Sequence, residues 1–359
     1  MFRKSATPKT QPSNAVTTTG PCRRALRLRV SSEMLAPIRA AVLSDIQKQA
    51  TLPGFRKGKA PAELIEKRYA ESLQQETVQR ATQQAFEQAV KDHQLKPVGP
   101  IEVQRAEYHQ TDGLALEATV EVEPEFALAP YKKMPLTRPT AEVTPDDVAK
   151  ALAQLQESMA QMVPAKEGEV KERQVPALDQ ELAKDLGFET LEALRAHVEA
   201  KLAEQKRTAQ TQALEAALCE TLLARHRFEV PGSLVQHQTQ RLTRDFTVRL
   251  LMAGKTEQDV TAEVGKFTEQ LRTNAERLVK LSCIMDRIAQ QEQIDVTQDE
   301  LVARLWQLSQ RWKKDPAEVR KILDAQRLWP SVVSTIRQEK TVTWLLEAAE
   351  ITNGAPSKF

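Results

Sequence analysis

Helix-start signals of similar chemistry recur along the chain beyond residue 140. Thr144-Pro145-Asp146-Asp147 and Thr297-Gln298-Asp299-Glu300 each place a hydroxyl side chain at the N-cap and carboxylates in the first turn, where they interact favourably with the helix dipole. Asp315-Pro316-Ala317-Glu318 is a third start of this kind. Because only 11 of the 359 residues are Gly, little interrupts the helical pattern between these starts. The sequence therefore predicts a mostly helical fold in this part of the chain.

The first part of the chain has a different pattern. Apolar residues alternate with arginines over residues 26–30, which is typical of a half-buried strand. A helical pattern follows and restarts at Pro61, whose fixed φ suits a first helical position. Two further strands are predicted over residues 98–105 and 114–122. This order of elements predicts a compact α+β domain over residues 23–125.

The remaining stretches divide the chain further. Residues 1–22 are predicted to be a disordered basic tail, and the acid-poor composition of the first 20 residues also leaves a transit peptide open. Pro130, Pro135 and Pro139, with Pro124 just before them, favour an extended linker over residues 126–139. The sequence thus predicts an α+β N-terminal domain followed by a mostly α-helical C-terminal domain over residues 140–359, predominantly helical overall.

Composition excludes several classes of protein. The formal net charge of +2 argues against a protein that binds nucleic acid over its whole surface. No run approaches the roughly 18–20 apolar residues that a membrane-spanning helix needs. The three Cys and five His show no spacing typical of a metal site. We therefore expect no metal, no cofactor, no catalytic residue and no membrane association.

One short motif carries specific chemistry. Gly54-Phe55-Arg56-Lys57-Gly58-Lys59-Ala60-Pro61 lies between two predicted helices, and its two glycines allow a tight turn. Such a turn would direct Phe55, Arg56 and Lys57 outward, where the cations suit phosphate and the ring suits an apolar or stacked contact. The residues alone leave a second interpretation open, in which the Phe packs into the core and the charges are only solvated.

This motif resembles the ribosome-binding signature of trigger factor, the bacterial chaperone that meets nascent chains at the ribosomal exit tunnel. The hydrophobic and basic segment Ile65-Glu66-Lys67-Arg68-Tyr69 that follows is also similar. The resemblance extends from about Gly20 to Asn353 and includes the Val230-Pro231 helix start. The motif is specific, whereas the helical similarities are weak one by one but occur in the right order.

The resemblance implies a function and a set of contacts. It implies an ATP-independent, cytoplasmic chaperone that docks on a ribosomal protein and rRNA, shields nascent or unfolded polypeptides, and assists folding and export. It also implies a weak homodimer when the protein is free. Two helical arms would extend from the body over about residues 231–293 and 294–349. The residues implied for ribosome binding are Gly54, Phe55, Arg56, Lys57, Gly58 and Lys59.

Binding an unfolded chain requires apolar surface that water can reach. Leu250, Leu251 and Met252 are consecutive, so one helix face cannot bury all three, and Met adapts to many partners. The tentative client-binding residues are Val248, Leu250, Leu251, Met252, Met159 and Met162, with Leu281 and Met285 as further candidates. Apolar helical stripes usually face a core, so core packing is the favoured interpretation outside residues 248–252. The four Trp near the C-terminus are interpreted first as packing anchors and second as client contacts.

The sequence departs from the family at one place. Most trigger factors carry an inserted prolyl isomerase domain, whereas the corresponding position holds only a short charged linker over residues 163–177. We therefore expect no isomerase activity. An assignment of isomerase activity to this chain would rest on the family name alone. Two further functions stay open, a holdase that works away from the ribosome and an RNA-binding scaffold that uses the same loop.

Overall fold

The computed structural model describes residues 15–53, 55–109, 111–159, 161–163, 172–174 and 177–354. The elements up to residue 174 are β1 Ala15–Gly20, β2 Arg23–Val30, α1 Ser32–Gln49, α2 Ala62–Arg68, α3 Ala70–Asp92, β3 Glu102–His109, β4 Gly113–Glu121, β5 Pro135–Arg138, α4 Pro145–Ser158, β6 Gln161–Val163 and β7 Glu172–Gln174. Those that follow are α5 Gln180–Asp185, α6 Leu191–Arg225, α7 Gly232–Met252, α8 Glu257–Gln291, α9 Gln298–Trp312, α10 Pro316–Ala325, α11 Trp329–Glu347 and β8 Glu350–Asn353.

The chain forms two compact units, and each is built from two separate stretches of sequence. The first unit combines Met1–Ala127 with Arg227–Cys283, and the second combines Leu128–His226 with Ile284–Phe359. Helix α8 continues through the boundary between Cys283 and Ile284. Each unit therefore brings together residues that are far apart in sequence, and the chain passes between the units more than once.

The first unit is built on a four-stranded antiparallel sheet in the order β1-β2-β4-β3. The core face pairs Leu28 with Leu116 and Val30 with Leu114, and all four side chains are buried. Helices α1 and α3 contribute the other side of this core. The predicted alternation over residues 26–30 is therefore confirmed, because the arginines between the core residues face away from it.

Two strands differ from the sequence prediction. Strand β1 lies within residues 1–22, for which the sequence predicts a tail. Half of the strand is Thr, and although Val16 packs against the core, one such residue makes no alternating pattern that could have predicted the strand. Strand β3 begins at Glu102 rather than at Val98, after Pro97 and Pro100, which have no N–H for the strand ladder.

The helices of the first unit follow the predicted order with one interruption. Helix α2 begins at Ala62, one residue after the predicted restart; Pro61 is its N-cap with a ψ of 142° rather than the first helical residue. The continuous helix expected from there is divided, because Tyr69 has a φ of −118° and ends α2 before α3 begins. The division separates a short helix beside the basic motif from the long helix that packs on the sheet.

A carboxylate of the sheet anchors α7 within the same unit. Glu121, at the end of β4, accepts hydrogen bonds from the backbone N–H of Ser233 at 2.8 Å and from its hydroxyl. Partial burial raises the pKa of Glu121, but the hydrogen bonds from Ser233 outweigh it and leave the pKa below its ordinary value. A negative charge at a helix N-terminus is stabilising, so α7 starts at a fixed place on the sheet.

The second unit confirms the predicted helix starts. Thr144 and Thr297 both form complete capping boxes with the carboxylate three residues later, and Asp315 caps α10. Strands β5 and β8 pair in parallel, and β6 pairs with β7 in the region of the predicted linker, of which residues 164–171 and 175–176 lie outside the described residues.

A polar contact ties the end of α8 to the chain that precedes β5. The Tyr131 hydroxyl donates to Glu292 at 2.5 Å, and Lys132 lies 3.0 Å from the same carboxylate. Burial and the hydrogen bond to Glu292 raise the pKa of Tyr131 to about 12. The tyrosine therefore stays protonated and keeps donating over the whole physiological range.

Gly113 provides a test of the turn that begins β4. Its φ is +101°, and an added Cβ would clash with the Val30 carbonyl oxygen. We expect Gly113→Ala to lower the free energy of unfolding by about 2–4 kcal/mol, through backbone strain and overpacking together. Gly254→Ala is the matched control in the same unit, since Gly254 also has positive φ but has nothing within 4 Å of the added Cβ. Urea unfolding should show the larger loss for Gly113→Ala, and equal losses would contradict the steric assignment.

Candidate functional site

The basic motif forms a loop whose two ends are held together. We call residues 54–59 the basic loop. Ala50 before it and Ala60 after it are both buried against Ile65 of α2, which is fully buried. The amide of Gln47 donates to the Ala60 carbonyl at 2.6 Å. Burying an isoleucine side chain stabilises the folded state by about 1.5–3 kcal/mol. The packing around Ile65 therefore holds the base of the loop in place.

The loop itself consists of two successive turns. Phe55 N–H donates to Leu52 O at 3.1 Å, and Lys59 N–H donates to Arg56 O at 2.9 Å. Gly58 is the third residue of the second turn and has a φ of +79°, a position where turns of type II favour glycine. The predicted role of Gly58 in shaping the loop is consistent with this geometry. Gly54 lies outside the described residues.

The structure decides between the two interpretations of Phe55. The ring is 41% exposed, and Arg56, Lys57 and Lys59 are also exposed. The base of the loop is filled by the small cluster around Ile65 rather than by Phe55. Phe55 therefore lies at the tip with the two cations that follow it.

The cations of the basic loop have no acidic partner in the part of the chain that the structure describes. The carboxylate of α1 closest to the loop in sequence, Asp45, already binds Arg80 at 3.0 Å and Lys48 at 3.2 Å. Hydrogen bonds from Arg80 and then Lys48 hold the pKa of Asp45 below its usual value. The positive charge of the loop can therefore meet an external anion, and phosphate oxygens are ligands that Arg and Lys favour.

A second exposed surface lies at the end of α7. Val248, Leu251 and Met252 are all exposed, and Met252 reaches 83%. Leu250, which lies between them in the chain, is half-buried. We call residues 248–252 the arm tip. The expectation that three consecutive apolar residues could not share one buried face agrees with these exposures.

The helices behind the arm tip pack incompletely. Helix α7 contains no buried residue, and its half-buried side chains recur about every four residues from Leu234 to Leu250. Phe246 of α7 meets Phe267 of α8 edge-on at 5.6 Å between ring centres, while Phe267 remains 39% exposed. The half-buried apolar side chains of α7 and the exposed part of Phe267 therefore leave apolar surface available to other chains.

Other predicted client-binding residues are less accessible. Met159 is half-buried, and the side chain of Met162 lies outside the described residues. Met285 is 2% exposed and is buried together with Ile284 and Ile288 of the same helix. It therefore belongs to the core, which is the interpretation that its helical pattern favours, and not to a client surface.

Sequence reasoning missed exposed aromatic side chains on α9. Trp306 is 55% exposed and Trp312 is 39% exposed, although the sequence favours packing anchors at both positions. Leu301, Leu305 and Leu308 already form a half-buried stripe on α9, and Trp306 falls outside that stripe. Counting the helical positions would have found this signal.

The part of the chain that the structure describes offers no candidate metal centre. No group of three or more His, Cys, Asp or Glu that could hold a metal ion occurs among the described residues. None of the described helices is both long and apolar enough to cross a bilayer.

The sequence matches two protein-family models. Residues 13–155 match Bacterial trigger factor protein (TF), and residues 190–347 match Bacterial trigger factor protein (TF) C-terminus. Neither is the model of an isomerase domain, and only residues 156–189 lie between the two matches. That interval is short for a further domain, since domains usually need at least about 50 residues.

Individual proteins agree with this assignment. The trigger factor of Geobacillus kaustophilus is 26% identical, over 91% of this chain and 96% of its own. The trigger factor of Geobacter sp. (strain M21) is 25% identical over 86% of this chain and 91% of its own. The fold resembles a solved structure reported as Promiscuous Substrate Recognition in Folding and Assembly Activities of the Trigger Factor Chaperone, with a TM-score of 0.55 and 19% identity over 93% of this chain and 99% of that one. Since the two family matches together cover most of the sequence, this chain belongs to the trigger factor family.

Proposed function

We propose that this chain is an ATP-independent chaperone that docks at the ribosomal exit tunnel and shields nascent or unfolded polypeptides, which assists their folding and export. Membership of the trigger factor chaperone family supports this function. The observation that carries it is the basic loop, in which an exposed Phe and unpaired cations stand on a packed base. A packed base with an accessible tip suits a docking element, because little conformational entropy is lost on binding.

The tip suits a mixed surface of ribosomal protein and rRNA. Arg56, Lys57 and Lys59 would meet phosphate oxygens, and the ring of Phe55 would meet an apolar pocket or a base face. The two glycines of the motif would shape the turn. A few phosphate contacts give reversible, salt-sensitive docking rather than permanent attachment.

Ribosome binding provides the first test. We expect the triple variant Phe55→Ala, Arg56→Ala, Lys57→Ala to lose co-sedimentation with ribosomes at moderate salt. The salt dependence should also become shallower, since each lost phosphate contact removes about 0.7–0.9 from the slope of log affinity against log salt.

A matched control removes the same kinds of group elsewhere. Val103→Ala, Lys150→Ala, Arg195→Ala takes away one exposed apolar side chain and two exposed cations that form no salt bridge in the described part of the chain. This control should sediment like the wild type. Equal loss in both variants would show nonspecific charge attraction, and no binding by the wild type would indicate a holdase that works away from the ribosome.

We propose that the arm tip binds clients. Val248, Leu251 and Met252 offer exposed apolar surface next to the half-buried Leu250. Met159 and Met162 remain tentative members of the same set. Binding at such a surface is weak for any one sequence, but docking near the emerging chain raises the effective concentration.

Client binding is tested separately from docking. We expect Leu251→Ser, Met252→Ser to weaken the binding of a permanently unfolded polypeptide about tenfold, which corresponds to about 1.4 kcal/mol of lost apolar burial. Aggregation suppression should fall with it, while ribosome binding stays unchanged. Met34→Ser, Val103→Ser is the control, since both side chains are exposed in the described structure but far from the arm tip in sequence. Equal suppression by all proteins would remove the arm tip from the client surface.

The domain organisation follows the same assignment. Residues 23–125, together with strand β1, would form the ribosome-binding domain, and residues 126–139 a linker. Residues 140–359 would form the chaperone body with arms at about 231–293 and 294–349, although Arg227–Cys283 belong to the first compact unit. We place the protein in the cytoplasm at the ribosome, with a weak homodimer as its free form. These assignments rest on the family and on the element order.

We further propose that the chain has no prolyl isomerase activity, because residues 163–177 replace the inserted domain. A protease-coupled assay on a proline tetrapeptide should give the uncatalysed rate at micromolar protein. An isomerase domain from another source, added at equal concentration, is the positive control. Acceleration that scales with the concentration of this chain would contradict the proposal.

A further inference from the structure

The junction between α9 and α10 concentrates positive charge. Residues 311–327 contain six Lys or Arg and three Asp or Glu. This segment of the second unit includes the end of α9, the turn that follows it and the whole of α10. Its cations therefore outnumber its acids two to one, although the whole chain is nearly balanced, with 51 Lys plus Arg against 49 Asp plus Glu.

The carboxylates of this segment neutralise few of its cations. Asp315 uses its side chain to cap α10. Asp324 lies 3.9 Å from Arg320 and also accepts a hydrogen bond from the Trp329 indole N–H at 2.7 Å. Glu318 is exposed in the first turn of α10, where the helix dipole favours a negative charge. Among the described residues, Arg320 is therefore the one cation of the segment that is paired within it.

Four other cations are open to solvent. Arg311, Lys313, Lys314 and Lys321 are all exposed and form no salt bridge with any described residue. The dipole of α9 favours cations near its C-cap, which is Lys313. That effect does not account for Lys321, which lies in the middle of α10. The positive charge of the junction is therefore available to an external anion.

An aromatic ring lies among these cations in the chain. Trp312 is the last residue of α9, between Arg311 and Lys313, and is 39% exposed. It follows Leu305 and Leu308 by seven and four residues, so it continues the half-buried stripe of α9. No ring or cation of the described chain stacks on Trp312. The helix therefore positions the ring, while part of its surface stays free for stacking.

We propose that this surface, defined by Arg311, Trp312, Lys313, Lys314 and Lys321, binds single-stranded RNA. The cations would meet phosphate oxygens, and the free part of the Trp312 ring would stack on a base. Bases that are splayed out of a single strand are available for such stacking, whereas bases within a duplex are not. The site lies in the second unit and the basic loop in the first, so the proposal goes beyond docking through the loop.

Two exposed carboxylates favour a strand over a flat anionic surface. Asp315 and Glu318 lie among the cations in the chain and are both exposed. An anionic lipid surface would meet these carboxylates together with the lysines, and like charges across a contact are unfavourable. A flexible strand can follow the cations and keep its phosphates away from the carboxylates. The charge pattern therefore favours RNA over a membrane.

The test separates this surface from the basic loop. The background is the full chain with Phe55→Ala, Arg56→Ala, Lys57→Ala, which removes the phosphate contacts proposed for the loop. We expect this protein to bind a labelled oligouridylate of about twelve nucleotides in fluorescence anisotropy at low salt. An RNA hairpin with the same number of nucleotides should bind more weakly, because most of its bases are paired.

The cations are tested by their effect on salt dependence. In this background, Arg311→Gln, Lys313→Gln, Lys314→Gln should weaken oligouridylate binding by about tenfold or more at low salt. The slope of log affinity against log salt should fall by about 2, since each phosphate contact with a single strand contributes about 0.7. Lys321→Gln, added to this variant, should lower the slope by about a further 0.7.

The ring is tested by a pair of substitutions. Trp312→Leu should weaken oligouridylate binding by at least about fivefold, because stacking on an aromatic ring contributes substantially to such affinities. The salt slope should stay unchanged, since no phosphate contact is lost. Trp312→Phe should keep most of the affinity, because it retains a ring that can both pack on α9 and stack on a base. Thermal unfolding of both variants shows whether either loses the fold.

A matched control removes three cations elsewhere in the second unit. Lys150→Gln, Arg195→Gln, Lys201→Gln takes away exposed side chains that form no salt bridge among the described residues. Its net charge equals that of the triple variant at residues 311–314. It should therefore bind oligouridylate as tightly as the background protein if the attraction is local.

Each contrary outcome has a distinct meaning. No oligouridylate binding by the loop-variant protein overturns the proposal, and co-sedimentation of the wild type with ribosomes would still support docking. Equal losses in the control and in the triple variant show general charge attraction and overturn it. An unchanged affinity in Trp312→Leu overturns it as well. Tighter binding of vesicles that contain phosphatidylserine, through the same cations, would assign the surface to a membrane and make the proposal wrong.

Discussion

The buried face of β4 is the contact on which the first unit depends. Leu114 and Leu116 pair with the core residues of β2 and face α1 and α3, so one strand joins the sheet to both helices. The same strand ends in Glu121, which caps α7. Apolar burial therefore fixes the position of α1, and through α1 the basic loop, while a carboxylate at the strand end fixes the start of α7.

The basic loop shows how a fold can present charge with little loss of stability. Its cations stay in water, where an unpaired charge costs little, and its base is closed by small apolar residues around Ile65. Asp45, the carboxylate of α1 closest to the loop in sequence, pairs with Arg80 and Lys48. Phosphate contacts made by such cations depend on salt and dissociate readily, which suits a chaperone that must release the ribosome.

Helices α7 and α9 present apolar side chains to solvent, whereas the basic loop presents charge. Helix α7 has no buried residue, and Met252, Trp306 and Val302 are exposed. A surface of this kind favours promiscuous binding, because flexible Met and flat aromatic side chains adapt to many sequences. The capping box at Thr297 stabilises the first turn of α9, whereas the N-cap residue of α7, Pro231, makes no side-chain hydrogen bond.

Features that depend on local chemistry could be predicted from the sequence. Capping residues, the alternation over residues 26–30 and the basic motif predicted the helix starts, strand β2 and the loop, because each depends on residues within one turn or one strand. Strand β1 could not be predicted, since it depends on pairing with β2 rather than on an apolar pattern of its own. The sequence left open whether Phe55 is exposed at the loop tip or packed in the core, and only the folded chain decides between the two. Exposure depends on which neighbours fill the core, and the cluster around the loop base and the leucines of α9 occupy those places.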